Sequence, residues 1–227
     1  GLIELGVKEG DHVAVIGRNR PYLYWSLVAA QHVGAVPVPL YQDAVAEEME
    51  YILTHCSAKF AIVGDQEQVD KIYEITEKVK ELKEIIFVDP KGLRKYDRAH
   101  LHLFNDISEK GKADQGILKS ELDKRVAKIS GDTTCVLLYT SGTTGKSKGV
   151  VQTHSAIMGA SLSANEFDRW TENDHIVCYL PMAWVGDFMI SVGQVMGAGA
   201  CLNCPEGAET TQMDIREMGP SVFFGPP

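Results

Sequence analysis

At 227 residues, with 44% hydrophobic and 23% charged side chains, the chain has ordinary globular values and enough length for a sizeable core. A formal net charge of −9 argues against a general nucleic-acid or anionic-membrane surface. No apolar run approaches the roughly 18 residues of a membrane span, and the five cysteines, mostly inside apolar runs, suit free thiols in a reducing, cytoplasmic setting.

Strand-like and helix-like segments alternate from the start. Val13–Ile16 is a short apolar run ending at Gly17; Asn19 and Pro21 then open a helix over Tyr22–Val33, closed by Gly34. Val36–Leu40, interrupted by Pro37 and Pro39, reads as an edge or irregular strand. A helix over Val45–His55 and a strand over Phe60–Val63 follow. Asp65–Leu82 has helical periodicity, and Ile85–Val88 is the next strand. Such alternation of continuous apolar strands with helices predicts an α/β fold, a mostly parallel sheet with helices on both faces.

Between 89 and 116 the pattern lapses into charged and turn residues, with a short element over Leu101–Phe104. The organisation is therefore first βα units over 1–90, a surface excursion over 91–116, and further βα units over 117–227. His100 and His102 would share a strand face, but no third ligand is evident. A helix over Leu118–Ile129 leads to an apolar strand, Cys135–Tyr139. Later come a helix capped by Ser155, a strand over Asp174–Leu180, a helix over Gly186–Met196, and a strand over Ala200–Asn203. A helix over Met213–Met218 and a last strand at Val222–Phe224 complete the order. Cys201 and Cys204 have metal or redox spacing, without a second pair to complete a site.

Hydroxyl residues, glycines and lysines make up the whole run Thr140-Ser141-Gly142-Thr143-Thr144-Gly145-Lys146-Ser147-Lys148-Gly149. Glycines let the backbone turn its N–H groups towards one point, hydroxyls add donors, and lysines add charge that a polyphosphate would match. A Walker A loop is the rival, but Thr140 stands where its first glycine belongs, and Lys148–Thr153 reads as a strand rather than a helix. The loop therefore joins two strands. Thr140, Ser141, Gly142, Thr143, Thr144 and Gly145 are the candidate phosphate cradle, with Lys146 and Lys148 as phosphate partners or solvated lysines.

The run Tyr139–Gly149 resembles the signature loop of the AMP-forming adenylating enzymes: acyl-CoA synthetases, luciferases and the adenylation domains of peptide synthetases. Ser147 stands where proline is commonest. The likeness to the family extends to Gly6–Ala14 and Gly34–Leu40; within the family, Leu180–Asp187, Phe223–Pro227 and the charged stretch beginning Gly92–Asp97 are most similar to bacterial long-chain acyl-CoA synthetases. The family's later Tyr-Gly-x-Thr-Glu motif, its ribose-binding Asp, its hinge and its C-terminal lysine are not in the sequence, so the chain reads as part of the large N-terminal domain of a longer protein.

The resemblance implies a two-step reaction. A fatty acid attacks the α-phosphate of Mg²⁺-bound ATP, giving acyl-adenylate and pyrophosphate, and the thiol of coenzyme A then displaces AMP. It implies an acyl pocket near Trp184, Val185 and Gly225, although Trp184 would equally suit a core position under the next helix. Asp187 is either an Mg²⁺ partner or a helix-capping group. No metal ligand and no catalytic residue is assigned, since the family lysine lies outside this chain. The chain alone is expected neither to turn over nor to bind ATP well, and peripheral membrane contact is compatible with the acyl substrate. Alternative readings are an aryl-CoA ligase, an amino-acid-activating domain, or a non-catalytic nucleotide-binding module.

Overall fold

A computed structural model describes residues 1–113, 115–140 and 146–225, without the side chain of Gln115. Its centre is an all-parallel five-stranded sheet in the order β2-β1-β3-β4-β5, built from β1 (His12–Ile16), β2 (Val36–Leu40), β3 (Phe60–Val63), β4 (Glu84–Phe87) and β5 (Leu101–Leu103). Parallel strands need crossovers, supplied by α1 (Pro21–His32), α2 (Ala46–His55) and α3 (Gln66–Ile75). One core, holding Ala14, Ile16, Ala61 and Val63, is covered by α2 and α3; the other, holding Val13, Val15, Phe60 and Ile62, is covered by α1. Alternate residues of the central strands thus enter opposite cores, which explains why the five strands are apolar apart from His12, Glu84 and His102. The expected α/β fold with helices on both faces is what the chain forms.

β2 is an edge of this sheet, for the reason its prolines suggest. Val36 donates its N–H to Asp11 of the β1 side, so alternation turns the nitrogens of Pro37 and Pro39 outward, where they have no hydrogen to offer. β6 (Thr134–Thr140) lies alongside that border, yet no ladder joins the two strands. Instead β6 pairs antiparallel with β7 (Lys148–Thr153).

The stretch expected as a surface excursion is more ordered than its composition suggests. It supplies β5, the fifth strand, and then α4 (Phe104–Ala113), followed by α5 (Gln115–Val126). α3 is shorter than its periodicity predicts: the Thr76 hydroxyl bonds the Ile72 carbonyl at 3.1 Å as the helix closes. Val79 nevertheless stays buried in turns beyond it.

α6 (His154–Asp168) is capped by Thr153, not Ser155; the Thr153 hydroxyl accepts from the Ala156 N–H at 3.2 Å. β8 (His175–Val177) and β9 (Cys201–Asn203) form a small parallel pair. Between them runs one helical stretch, α7 (Val185–Asp187), a π-helical turn over Phe188–Gln194, and α8 (Val195–Ala198). α6 serves this wider turn: Ser161 donates to the Met189 carbonyl at 3.2 Å and Asn165 to the Gln194 carbonyl at 2.8 Å. α9 (Thr211–Met218) follows, and the last expected strand is reduced to a single bridge between Val222 and Ile176.

Candidate functional site

The apolar run of β6 is buried from Cys135 to Tyr139 and surfaces at Thr140. Its register with β7 ends on the pair Thr140–Lys148, with Tyr139 opposite Gly149. The hydroxyl- and glycine-rich run therefore closes a β-hairpin, and Lys146 and Ser147 are not helical. This excludes the Walker A geometry, which springs a helix from that lysine. Ser141, Gly142, Thr143, Thr144 and Gly145 lie outside the described residues.

Two side chains one turn apart on α2 hold the two flanks of the hairpin. Tyr51 donates its hydroxyl to the Ser147 carbonyl at 3.0 Å, and the Lys146 ammonium lies 5.4 Å from the centre of its ring. His55 is hydrogen-bonded through Nδ1 to the Tyr139 hydroxyl at 2.6 Å. Burial holds the Tyr139 phenol well above its ordinary value, so it stays neutral. Neither Tyr51 nor His55 was legible as a loop partner in the sequence, because only the tertiary fold sets α2 against β6.

The open groove between α2 and Lys146 also carries Glu47, Glu48 and Glu50. Those carboxylates would repel a polyphosphate, so the α2 side of the hairpin is unsuited to one. Thr140 and Lys148, paired at the hairpin mouth, are both exposed.

A second set of residues gathers where β1 ends. Gly17 has φ +151°, and a side chain there would press on Leu23 and on the backbone of Gly64. The chain turns into α1, whose cap is Arg20 without a capping side chain, followed by Pro21. Asn19, expected as the cap, does something else: its amide donates to the carbonyls of Cys178 at 2.8 Å and Leu180 at 2.7 Å. Arg20 donates to the carbonyls of Pro205, at 2.5 Å, and Glu206. One loop thus holds the segments leaving both β8 and β9. A cavity of about 300 Å³ lies there, lined by Arg18, Tyr41, Gln42, Tyr179 and Thr211 among others.

Trp184 is half-buried, with its ring over Gly186, where an added Cβ would come within 2.1 Å of it. The ring tilts against Phe224, centroids 6.3 Å apart, so Trp184 and the neighbour of Gly225 are brought together. Val185 and Gly225 are exposed. Tyr179 stacks on Phe223 at 5.7 Å and donates its hydroxyl to the Phe224 carbonyl. The groove beside Lys146 and the cavity beside Tyr179 share no lining residue, and Trp184, Val185 and Gly225 line neither.

Asp187 is only 1% exposed and accepts from Tyr24 at 2.8 Å and from Ser191 at 2.8 Å. Burial pushes its carboxyl up to about 6, against those two hydrogen bonds. It is committed to the interior and unsuited to hold Mg²⁺. Among the described residues no three His, Cys, Asp or Glu side chains cluster to hold a metal. His100 and His102 both turn to Glu84, at 3.4 and 2.7 Å. Cys201 and Cys204 do not cooperate either, since three steps along an extended chain put them on opposite faces.

Comparison with known proteins agrees with this architecture. A long-chain-fatty-acid–CoA ligase of Xenopus laevis is 29% identical over 234 residues, covering 100% of this chain and 31% of the relative. Fatty acyl-CoA synthetase B of Dictyostelium discoideum is 28% identical over 235 residues, covering 100% of this chain and 33% of the relative. The chain thus spans about a third of the length of the curated relatives it matches. Among solved structures, the anthranilate CoA ligase AuaEII in complex with anthranoyl-AMP matches 99% of this chain and 41% of its own, at TM-score 0.76 and 20% identity. ATP-bound MatB from Rhodopseudomonas palustris matches 95% of this chain and 39% of its own, at TM-score 0.68 and 22% identity. These two likenesses carry the fold. All of residues 1–227 match the AMP-binding enzyme family, and the chain belongs to it.

Proposed function

We propose that the protein carrying this chain is an AMP-forming fatty acid–CoA ligase. It would activate a long- or medium-chain carboxylate with Mg²⁺-bound ATP to acyl-adenylate and pyrophosphate, and then form the coenzyme A thioester. The observation that carries the proposal is the hairpin: the phosphate-loop sequence runs from strand to strand and closes on Thr140 and Lys148, inside a chain whose whole length belongs to the AMP-binding family. The similarity to fatty acyl-CoA ligases along the whole chain supports the acyl class of substrate.

In this reading Thr140, Lys146 and Lys148, with Ser141, Gly142, Thr143, Thr144 and Gly145, stabilise the charge that builds on departing pyrophosphate. Trp184, Val185 and Gly225 belong to the acyl side. Mg²⁺ would arrive with the ATP phosphates and neutralise part of their charge, and the described residues add no cluster of their own to it. The catalytic lysine and adenine-binding motif would come from residues outside this chain, so residues 1–227 alone would be inactive. No helix of the described residues is long and apolar enough to cross a membrane; the reading places the enzyme in the cytoplasm, with contact to a membrane surface only where it collects its substrate.

The test follows AMP release by the full-length protein over a panel of palmitate, octanoate, benzoate, anthranilate and amino acids, with and without coenzyme A. AMP release that needs both a fatty acid and coenzyme A is the expected result. Best turnover with an amino acid and no need for coenzyme A would overturn the fatty-acid assignment, and no AMP from any carboxylate would overturn the ligase.

A further inference from the structure

Cys178 leaves β8 and Cys204 leaves β9, and the parallel register sets them side by side. The pairs His175–Cys201, Ile176–Leu202 and Val177–Asn203 make Cys178–Cys204 the next in line. The Cys178 N–H continues that ladder to the Asn203 carbonyl at 2.9 Å. Neighbouring strands lie roughly 4.8 Å apart, inside the range of roughly 4.4–6.8 Å between Cα atoms that a disulfide spans. The two sulfurs are 3.4 Å apart, both as free thiols.

The two thiols differ in the way a dithiol reaction needs. Cys178 is 2% exposed, whereas Cys204 is half-buried and open to a small reagent. The Cys178 S–H lies within reach of both the Asn203 carbonyl at 3.2 Å and the Cys204 sulfur at 3.4 Å; donation to the sulfur, with the positive Arg20 guanidinium, holds the Cys204 thiol below its ordinary value. Its partner is held well above, because it keeps the shared proton and is buried. Cys204 is the thiolate that meets the reagent first.

We propose that Cys178 and Cys204 are a reversible dithiol–disulfide site whose oxidant is a low-molecular-weight disulfide. The Cys204 thiolate attacks one sulfur of the oxidant, forming a mixed disulfide and expelling a thiolate. Cys178 then attacks the Cys204 sulfur, its proton passing to the second departing thiolate. Two protein thiols become one disulfide and the oxidant becomes two thiols, so electrons and protons balance. The bond would tie together the same two segments that Asn19 and Arg20 hold. It does not depend on the ligase reading.

The experiment incubates the protein with oxidised glutathione, then unfolds, alkylates and digests it without reduction for mass spectrometry. One linked peptide pair through Cys178 and Cys204 is expected, lighter by two hydrogens than the free peptides, with Cys56 and Cys135 alkylated. The melting temperature should rise by about 5 °C or more, because the bond closes a loop, and return with dithiothreitol. Cys204→Ser should abolish link and shift together, and it serves alone if Cys178→Ser fails to fold. Glutathione retained on Cys204 without a link, both thiols alkylated, or a link formed through Cys201 instead would each overturn the site.

Discussion

β3 and β8 are both short parallel strands, but they sit in very different company. β3 is the centre of five strands, with every residue from Phe60 to Val63 buried between two cores. β8 has β9 beside it and a single bridge to Val222 on its other side, over a small cluster of Ile176, Ile190 and Val195. Phe87 on the first sheet is 0% exposed, while Phe223, just past the β8 bridge, is 61% exposed. The closed region is scaffold. The open one carries the contacts of the Asn19–Arg20 clamp, the Cys178–Cys204 pair and the Trp184–Phe224 contact.

Breaking the scaffold should therefore cost far more than trimming the open side. Phe87→Ala is expected to lose about 3–5 kcal/mol in denaturant unfolding and Phe223→Ala about 1 kcal/mol or less. Equal losses would erase the contrast. Next in size is a substitution that should spare stability altogether. If the hairpin works as proposed, Lys148→Ala in the full-length enzyme lowers fatty-acid-dependent ATP–pyrophosphate exchange about a hundredfold with an unchanged unfolding midpoint. An unchanged exchange rate would remove Lys148 from the phosphate site.

The third prediction probes the joint between the two regions, where Tyr24 of α1 meets Asp187. Burial raises the Asp187 carboxyl in the folded protein to about 6 from an ordinary 3.8, so the folded state holds its proton more tightly than the unfolded chain. The contribution is fully present below 3.8 and is lost as pH rises through about 6. That difference corresponds to about 2–3 kcal/mol. Asp187→Asn should flatten the loss of stability between the two pH limits; a wild-type slope retained in the variant would contradict it. Asn19→Ala strips donors from two carbonyls and should destabilise by about 1–3 kcal/mol, more than any one exposed residue of the open region. Smallest is Tyr51→Phe, which removes the hydrogen bond to Ser147 but keeps the ring under Lys146, for about 1 kcal/mol. Amide exchange at Lys148–Val150 that does not quicken in this variant would show that Tyr51 does not hold the hairpin.

Much of this division was visible in the sequence. Continuous apolar strands and their helices located the first sheet, with β3 expected and found at Phe60–Val63. The strand-like valines after Gly149 announced the hairpin, because glycine is a poor helix former and β-branched residues favour strands. What stayed hidden were partnerships between distant segments. Asn19 followed by Pro21 looks like a helix start, and only the fold shows its amide reaching Cys178 and Leu180. Cys204 invited pairing with Cys201 by spacing, whereas strand register gives it Cys178. β5 was expected as a short element over Leu101–Phe104, but a three-residue edge strand leaves too little periodic signal to show that it joins the main sheet.

The prolines of β2 bear on how such a chain is made. Every strand of the five-stranded sheet lies within residues 12–103, and no ladder crosses from β2 to β6. A nascent chain on the ribosome can thus complete every pairing of this sheet before the first residue of β6 emerges. The sealed border also offers later strands no donors at Pro37 and Pro39 through which to insert out of turn.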